Sequence, residues 1–183
     1  MLGPRLKYSS CLWSSTDSTL VEAEEAMLEA TCERGQLLDG MDVLDLGCGW
    51  GSLTLWIAER FPRCRIIAVS NSSSQRTFIE ERARALGTNR VTVLTADVNG
   101  FEVPRAMDRI FSIEMFEHVR NWERLLSRVS RWLHPGGRFF AHVFCHRSLA
   151  YFYETDGRGD WMARNFFRGG MMPSADLFAY MQR

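Results

Sequence analysis

Apolar and polar positions along the chain change period repeatedly, from helical spacing to strand-like runs and back. Thr19-Leu20-Val21-Glu22 has the spacing of a capping box, and Leu20, Ala23, Met27 and Ala30 follow at helical intervals up to Gly35, which predicts an amphipathic first helix. Val43 to Leu46 then reads as a buried strand, and the next helix spans about Ser52 to Arg60, ahead of Phe61-Pro62. The apolar run Arg65 to Ser70 suits a strand in a sheet covered on both faces, and a helix follows from Ser72-Ser73-Ser74 to Gly87. Arg90 to Thr95 alternates as a third strand, ending at Ala96-Asp97, and Asp108 to Ile113 is a fourth. Asn121 can cap a helix striped by Trp122, Leu125, Leu126, Val129, Trp132 and Leu133, with Pro135-Gly136-Gly137 as its stop and Arg138 to Cys145 as strand five. Strands alternating with helices predict an α/β fold, a doubly wound and mainly parallel sheet with right-handed crossovers.

The two ends lack this alternation. Residues 1–18 have no sustained period and read as an N-terminal arm, in which Tyr8 and Trp13 argue against a disordered leader. From Arg147 onward aromatic residues and methionines crowd together, among them Tyr151, Phe152, Tyr153, Trp161, Phe166, Phe167 and Phe178. Such a segment suits either packing against the last strand or a lid over an apolar substrate.

Composition narrows the class. The 183 residues fit a single domain, and the 22 basic side chains equal the 22 acidic ones, without a stripe for nucleic acid. No apolar run reaches membrane-spanning length and Met1 to Arg5 lacks a signal-peptide core, so no membrane insertion and a cytoplasmic location are expected. Cys11, Cys32, Cys48, Cys64 and Cys145 are scattered, which predicts reduced thiols and no metal site.

Candidate chemistry concentrates after the first strand, where Gly47, Gly49 and Gly51 alternate before a helix. A strand, a glycine turn and a helix start form a nucleotide-site outline. The nicotinamide fingerprint wants a further glycine where Ser52 stands and a ribose-binding acid some twenty residues on, whereas the second strand ends in Ser70-Asn71-Ser72 with Gln75 following. A nicotinamide oxidoreductase is thereby disfavoured.

Four stretches carry a more specific signal: Leu6-Lys7-Tyr8-Ser9, Asp45 to Gly51, Phe111 to His118, and Phe166 to Ser174. Together they resemble the cyclopropane fatty acid synthase superfamily of S-adenosylmethionine-dependent methyltransferases, with the coclaurine N-methyltransferase group as the nearest branch. The resemblance implies a class I methyltransferase (Rossmann-like) fold with S-adenosylmethionine as cofactor. It places Tyr8 and Ser9 in an arm closing over the cofactor, Gly47 and Gly49 beside its amino-acid half, Ser70, Asn71 and Gln75 at the adenosine and ribose, and Asp97, Val98 and Ile113 in the same cofactor set. Glu114, Glu117 and His118 match the residues of amine methylation, implying a small-molecule amine substrate with an aromatic, apolar body.

The lipid-modifying branch is the nearest alternative. Those enzymes have a small residue where Glu114 stands and a cysteine where Ser10 stands, but Glu117 and His142 match their bicarbonate-holding positions and do not separate the branches. Family members also continue well past Gly169-Gly170. Five strands are therefore expected instead of seven, with an arm and helix over residues 1–40, a cofactor-binding core over 41–146 and an incomplete substrate cap over 147–183. An exposed sheet edge would invite self-association, and a noncatalytic, partner-binding protein is the third reading.

Overall fold

The computed structural model describes residues 2–154 and 161–182. Helix α1 (Leu20–Arg34) starts where the capping box predicts: Thr19 accepts from the Glu22 amide while the Glu22 carboxylate accepts from Thr19. Strands β1 (Asp42–Leu46), β2 (Arg65–Ser70) and β3 (Val91–Thr95) alternate with helices α2 (Ser52–Arg60) and α3 (Ser73–Ala85). Strand β4 (Met107–Ile113) leads through a 3₁₀ turn at Phe116–His118 into α4 (Trp122–Trp132) and β5 (Leu133–His142).

The five strands form one parallel sheet in the order β3-β2-β1-β4-β5. The order turns at β1, whose outgoing helix and that of β4 leave the sheet in different directions. Ligands of open α/β sheets bind at such a switch point, beyond the carboxyl ends of the strands.

Side chains alternate across this sheet as its pleat dictates. Val43, Ile66 and Phe111 join Leu28, Leu53, Trp56 and Ile57 on one face, while Leu44, Leu46, Ile67, Val69 and Ile110 join Phe116, Trp122 and Trp132 on the other. Both faces of the sheet are thus buried, which is why β1 and β2 read as nearly continuous apolar runs.

Three expectations need correction. The buried face of α1 is Ala23, Glu24, Leu28, Thr31 and Cys32, rotated from the expected stripe, and Leu20 is exposed. Glu24 is responsible, because its carboxylate faces inward to receive amides of the arm, as described below. Pro135-Gly136-Gly137 does not lie between α4 and the last strand but within the start of β5, opposite a register shift at Met107–Arg109. A Cβ on Gly137 would stand 2.9 Å from the His134 carbonyl and 3.0 Å from that of Met107, so only glycine lets the bulge close. Strand β5 ends at His142 instead of Cys145, since the Phe144 amide turns away to the Glu117 side chain.

The tail divides its aromatic residues between two tasks. Its β6 (Tyr151–Phe152) and β7 (Met171–Met172) form a small antiparallel ribbon, and α5 (Trp161–Asn165) and α6 (Leu177–Met181) are single short helices. Phe178 of α6 packs on Phe116, Trp122 and Phe139, which is the packing role. Phe166 and Phe167 instead line the cavity at the carboxyl ends of the strands. Among the described residues no helix is long and apolar enough to cross a membrane.

Candidate active site

One cavity of about 1210 Å³ opens at the carboxyl ends of the strands, around the switch point. It exceeds the ~300–1,000 Å³ of ordinary single-ligand clefts, so two small molecules can lie in it side by side.

The floor is the turn from β1 to α2. Gly47, Gly49 and Gly51 all have left-handed backbones, at φ +87°, +53° and +83°. Side chains here would also collide: a Cβ on Gly47 would meet Met115 at 2.4 Å and one on Gly51 would meet Ile79 at 2.7 Å. The N-cap of α2 is Gly51 and has no side-chain cap, leaving the first amides of the helix turned to the cavity end. The Ser52 hydroxyl on this wall is buried without a partner among the described residues. Beneath lies Asp45, buried and lifted to about 6 by its burial, and steadied by a 2.6 Å hydrogen bond donated by Thr54.

The neighbouring strand ends supply polar groups. Ser70 Oγ bonds Gln75 and accepts from the Ser72 amide at 3.0 Å, and Gln75 Nε2 donates to the Tyr8 hydroxyl at 3.3 Å. Asn71 lies on the same wall. After β3, Asp97 accepts from the amide and side chain of Asn99, both at 2.9 Å, while Arg128 donates to the carbonyls of Val98 at 2.6 Å and Asn99 at 3.1 Å.

The end of β4 holds the acids. Ile113 and Glu114 are on the wall, and Glu114 has φ +52°, an uncommon conformation for a residue with a side chain. Its amide donates to the His142 carbonyl at 2.7 Å, and the Ser9 hydroxyl donates to its carboxylate. Burial pushes the Glu114 carboxyl up, but the neighbouring Ser10 and Ser9 hydroxyls and the charge of Lys7 outweigh it and hold the pKa below the usual value. Its Oε1 is buried with no partner among the described residues.

His118 is also on the wall, its ring 5.0 Å from that of Phe167, which stacks on Tyr153 at 5.0 Å. Burial lowers the His118 pKa, favouring the neutral imidazole. Glu117 differs from its neighbours: it is fully buried and is not among the cavity-lining residues. Its Oε1 accepts from the Phe144 amide at 2.8 Å, its Oε2 has no partner among the described residues, and burial, helped by the charge of Glu114, lifts its pKa to about 7. The glycine pair of the tail presses against this turn, where a Cβ on Gly170 would stand 1.9 Å from the Glu117 carbonyl oxygen.

Every candidate cofactor residue therefore converges on one cavity: Tyr8 and Ser9 from the arm, Gly47 and Gly49 from the turn, Ser70 and Asn71 from the second strand end, Gln75 from the start of α3, and Asp97, Val98 and Ile113 beyond. Glu114 and His118 join them, and Glu117 stands behind. The sequence reading missed Lys7, Thr54, Arg128 and Glu24. For Thr54 a signal existed: it follows Asp45, an acid inside an apolar strand, by one strand–turn–helix step.

The surviving fit to S-adenosylmethionine rests on this wall. The glycine turn admits a ligand to bare backbone, the Ser52 hydroxyl is buried without a partner among the described residues, and Asp97 offers acceptors suited to an exocyclic amine.

Comparison with known proteins agrees with the geometry. The family model described as mycolic acid cyclopropane synthetase matches residues 1–182. The chain is 45% identical, over its whole length, to (S)-coclaurine N-methyltransferase of Thalictrum flavum subsp. glaucum, of which it spans 51%. It is 35% identical over 98% of its length to the cyclopropane-fatty-acyl-phospholipid synthase of Escherichia coli strain K12, of which it spans 44%. A crystal structure of coclaurine N-methyltransferase bound to N-methylheliamine and SAH superposes with a TM-score of 0.92 and 44% identity, covering all of this chain and 54% of that one. The mycolic acid cyclopropane synthase CmaA1 complexed with SAH and CTAB shares the fold, with a TM-score of 0.81 and 24% identity, over 98% of this chain and 66% of that one. The chain spans about half the length of the curated relatives it matches. Its five-stranded α/β sheet is the class I methyltransferase fold, and the chain belongs to the mycolic acid cyclopropane synthetase family.

Proposed function

We propose that this chain is an S-adenosylmethionine-dependent methyltransferase that methylates the nitrogen of an amine in a small aromatic molecule. The observation that carries the reading is Glu114: an ionised carboxylate at the switch point, with one oxygen fixed by Ser9 and the other buried without a partner on the cavity wall. A buried anionic oxygen of this kind suits an ammonium. Likeness to a coclaurine N-methyltransferase bound to N-methylheliamine and SAH supports the same assignment.

The cofactor, when bound, supplies an activated methyl group on a sulfonium. Tyr8, Ser9, Gly47, Gly49, Ser70, Asn71, Gln75, Asp97, Val98 and Ile113 are the residues proposed to hold it. Glu114 binds the protonated amine and orients its nitrogen. An ammonium has no lone pair to attack with, so a proton must leave before transfer. His118, kept neutral by burial, and Glu117, with a pKa of about 7, are the groups assigned to receive that proton at neutral pH. Phe166 and Phe167 give the amine an aromatic wall.

Two further readings belong with this one. Strand β5 has only β4 as a neighbour among the described residues, and this open edge supports association with a second chain, which sedimentation tests directly: a monomer at high concentration would remove it. The thiols of Cys11, Cys32, Cys48, Cys64 and Cys145 are all free, which suits the reducing cytoplasm.

The function itself is tested by incubating the chain with methyl-labelled S-adenosylmethionine and a panel of aromatic secondary amines beside unsaturated phospholipids, with mass spectrometry of the products. Label on an amine nitrogen is expected. Label in the phospholipid fraction alone would replace this reading with lipid modification, and no label with no cofactor binding would favour a noncatalytic protein.

A further inference from the structure

We propose that Glu24 is a positioning residue that docks the N-terminal arm over the cavity and so sets the affinity for the cofactor. The inference deepens the reading above, since it takes the cavity beneath the arm to be the cofactor site.

Glu24 is a carboxylate on a helix, yet it is fully buried. Such a group is retained only where it is well satisfied. Its two oxygens each take one peptide amide of the arm: Oε2 accepts from Arg5 N and Oε1 from Lys7 N, both at 3.1 Å. Gly3 completes the fit, because a Cβ there would stand 2.4 Å from Glu24 Oε2. A second tether follows on the other side of the arm, where the Leu12 amide donates to the Ala23 carbonyl at 2.9 Å.

Between the tethers lie Tyr8 and Ser9, the two residues the arm delivers to the cavity. Tyr8 reaches Gln75 of α3 and lies against Gly49, whose Cβ would meet its ring at 3.1 Å, and Ser9 reaches Glu114. The arm takes this path through left-handed backbone at two residues with side chains, Leu6 at φ +59° and Ser10 at φ +61°. A segment strained in this way keeps its path only where its surroundings fix it. Glu24 fixes it from outside the cavity, as it is not among the lining residues. Its effect on a ligand is therefore indirect: apparent affinity falls by the fraction of molecules whose arm is docked.

Glu24→Gln isolates the effect, because an amide keeps the shape but offers one acceptor oxygen where two donors wait. Gly3→Ala attacks the same contact from the other side and leaves Glu24 in place. In the unliganded chain, hydrogen exchange at the Lys7 amide should accelerate roughly ten-fold or more in each variant, with β1 and β4 amides unchanged. The Kd for S-adenosylhomocysteine should rise about ten-fold, kcat at saturating cofactor should stay within about two-fold, and the double variant should do little more than either single one. Unchanged Lys7 exchange, or an unchanged Kd beside accelerated exchange, would overturn the proposal. So would uniform acceleration across the sheet, which would make Glu24 a fold-stabilising residue only. A parent chain that binds no S-adenosylhomocysteine would instead defeat the cofactor reading, and Lys7 exchange in the unliganded protein would still decide whether Glu24 docks the arm.

Discussion

Replacing Glu117 by glutamine should stabilise the protein at alkaline pH relative to acid pH while suppressing methyl transfer. The carboxyl is fully buried, accepts one amide hydrogen bond, and has its pKa raised by burial from 4.5 to about 7. A carboxyl raised in the folded state favours folding most below its unfolded value, and that contribution is lost as pH rises through about 7. Between about pH 5 and about pH 8 the loss comes to roughly 2–3 kcal/mol. Glutamine does not titrate, so its variant escapes this loss. The amide brings its own cost, about 1–3 kcal/mol for a buried donor without an acceptor, but the cost is the same at both pH values and cancels in the comparison. Urea unfolding of parent and variant at the two pH values reads the difference, and groups titrating in both proteins drop out. A stability difference between parent and variant that does not change with pH would refute the reasoning and show that Glu117 titrates near its ordinary value. Methyl transfer by the same variant should fall roughly 10²-fold or more if the carboxylate receives the amine proton.

Other outcomes follow from the same packing. Thr54→Val removes the 2.6 Å donor to Asp45 and should destabilise by about 1–3 kcal/mol in urea unfolding, more above pH 6 than below it, because the ionised Asp45 is the form left unsupported. Gly170→Ala puts a methyl group 1.9 Å from the Glu117 carbonyl oxygen and should cost about 1–3 kcal/mol, with faster hydrogen exchange at Met171 and retained protection in β1 and β2.

Element boundaries were legible wherever a local group dictates them. Thr19, Ser72 and Asn121 each accept a helix amide, at the positions their side chains suggest. Arg65–Ser70 reads as a buried strand because both sides of the sheet are covered. The α1 face was not legible, since an inward glutamate contradicts the rule that charges face water and its reason lies in amides some twenty residues upstream. The start of β5 misled for a related reason: Pro-Gly-Gly ordinarily stops an element, and only the proximity of the Met107 carbonyl turns it into a bulge. In the site, residues at strand ends were found because topology gathers strand ends. The retreat of Glu117 behind the wall depends on the Phe144 amide, a contact that residue spacing does not encode.

The central claim is that one cavity holds the cofactor at the glycine turn and the amine at Glu114. Calorimetric titration of the parent chain and Glu114→Gln with S-adenosylhomocysteine, followed by an aromatic secondary amine, tests it most directly. Both proteins should bind S-adenosylhomocysteine with similar affinity, and only the parent should then bind the amine. Failure of the parent to bind S-adenosylhomocysteine, or equal amine binding by both proteins, would contradict the account.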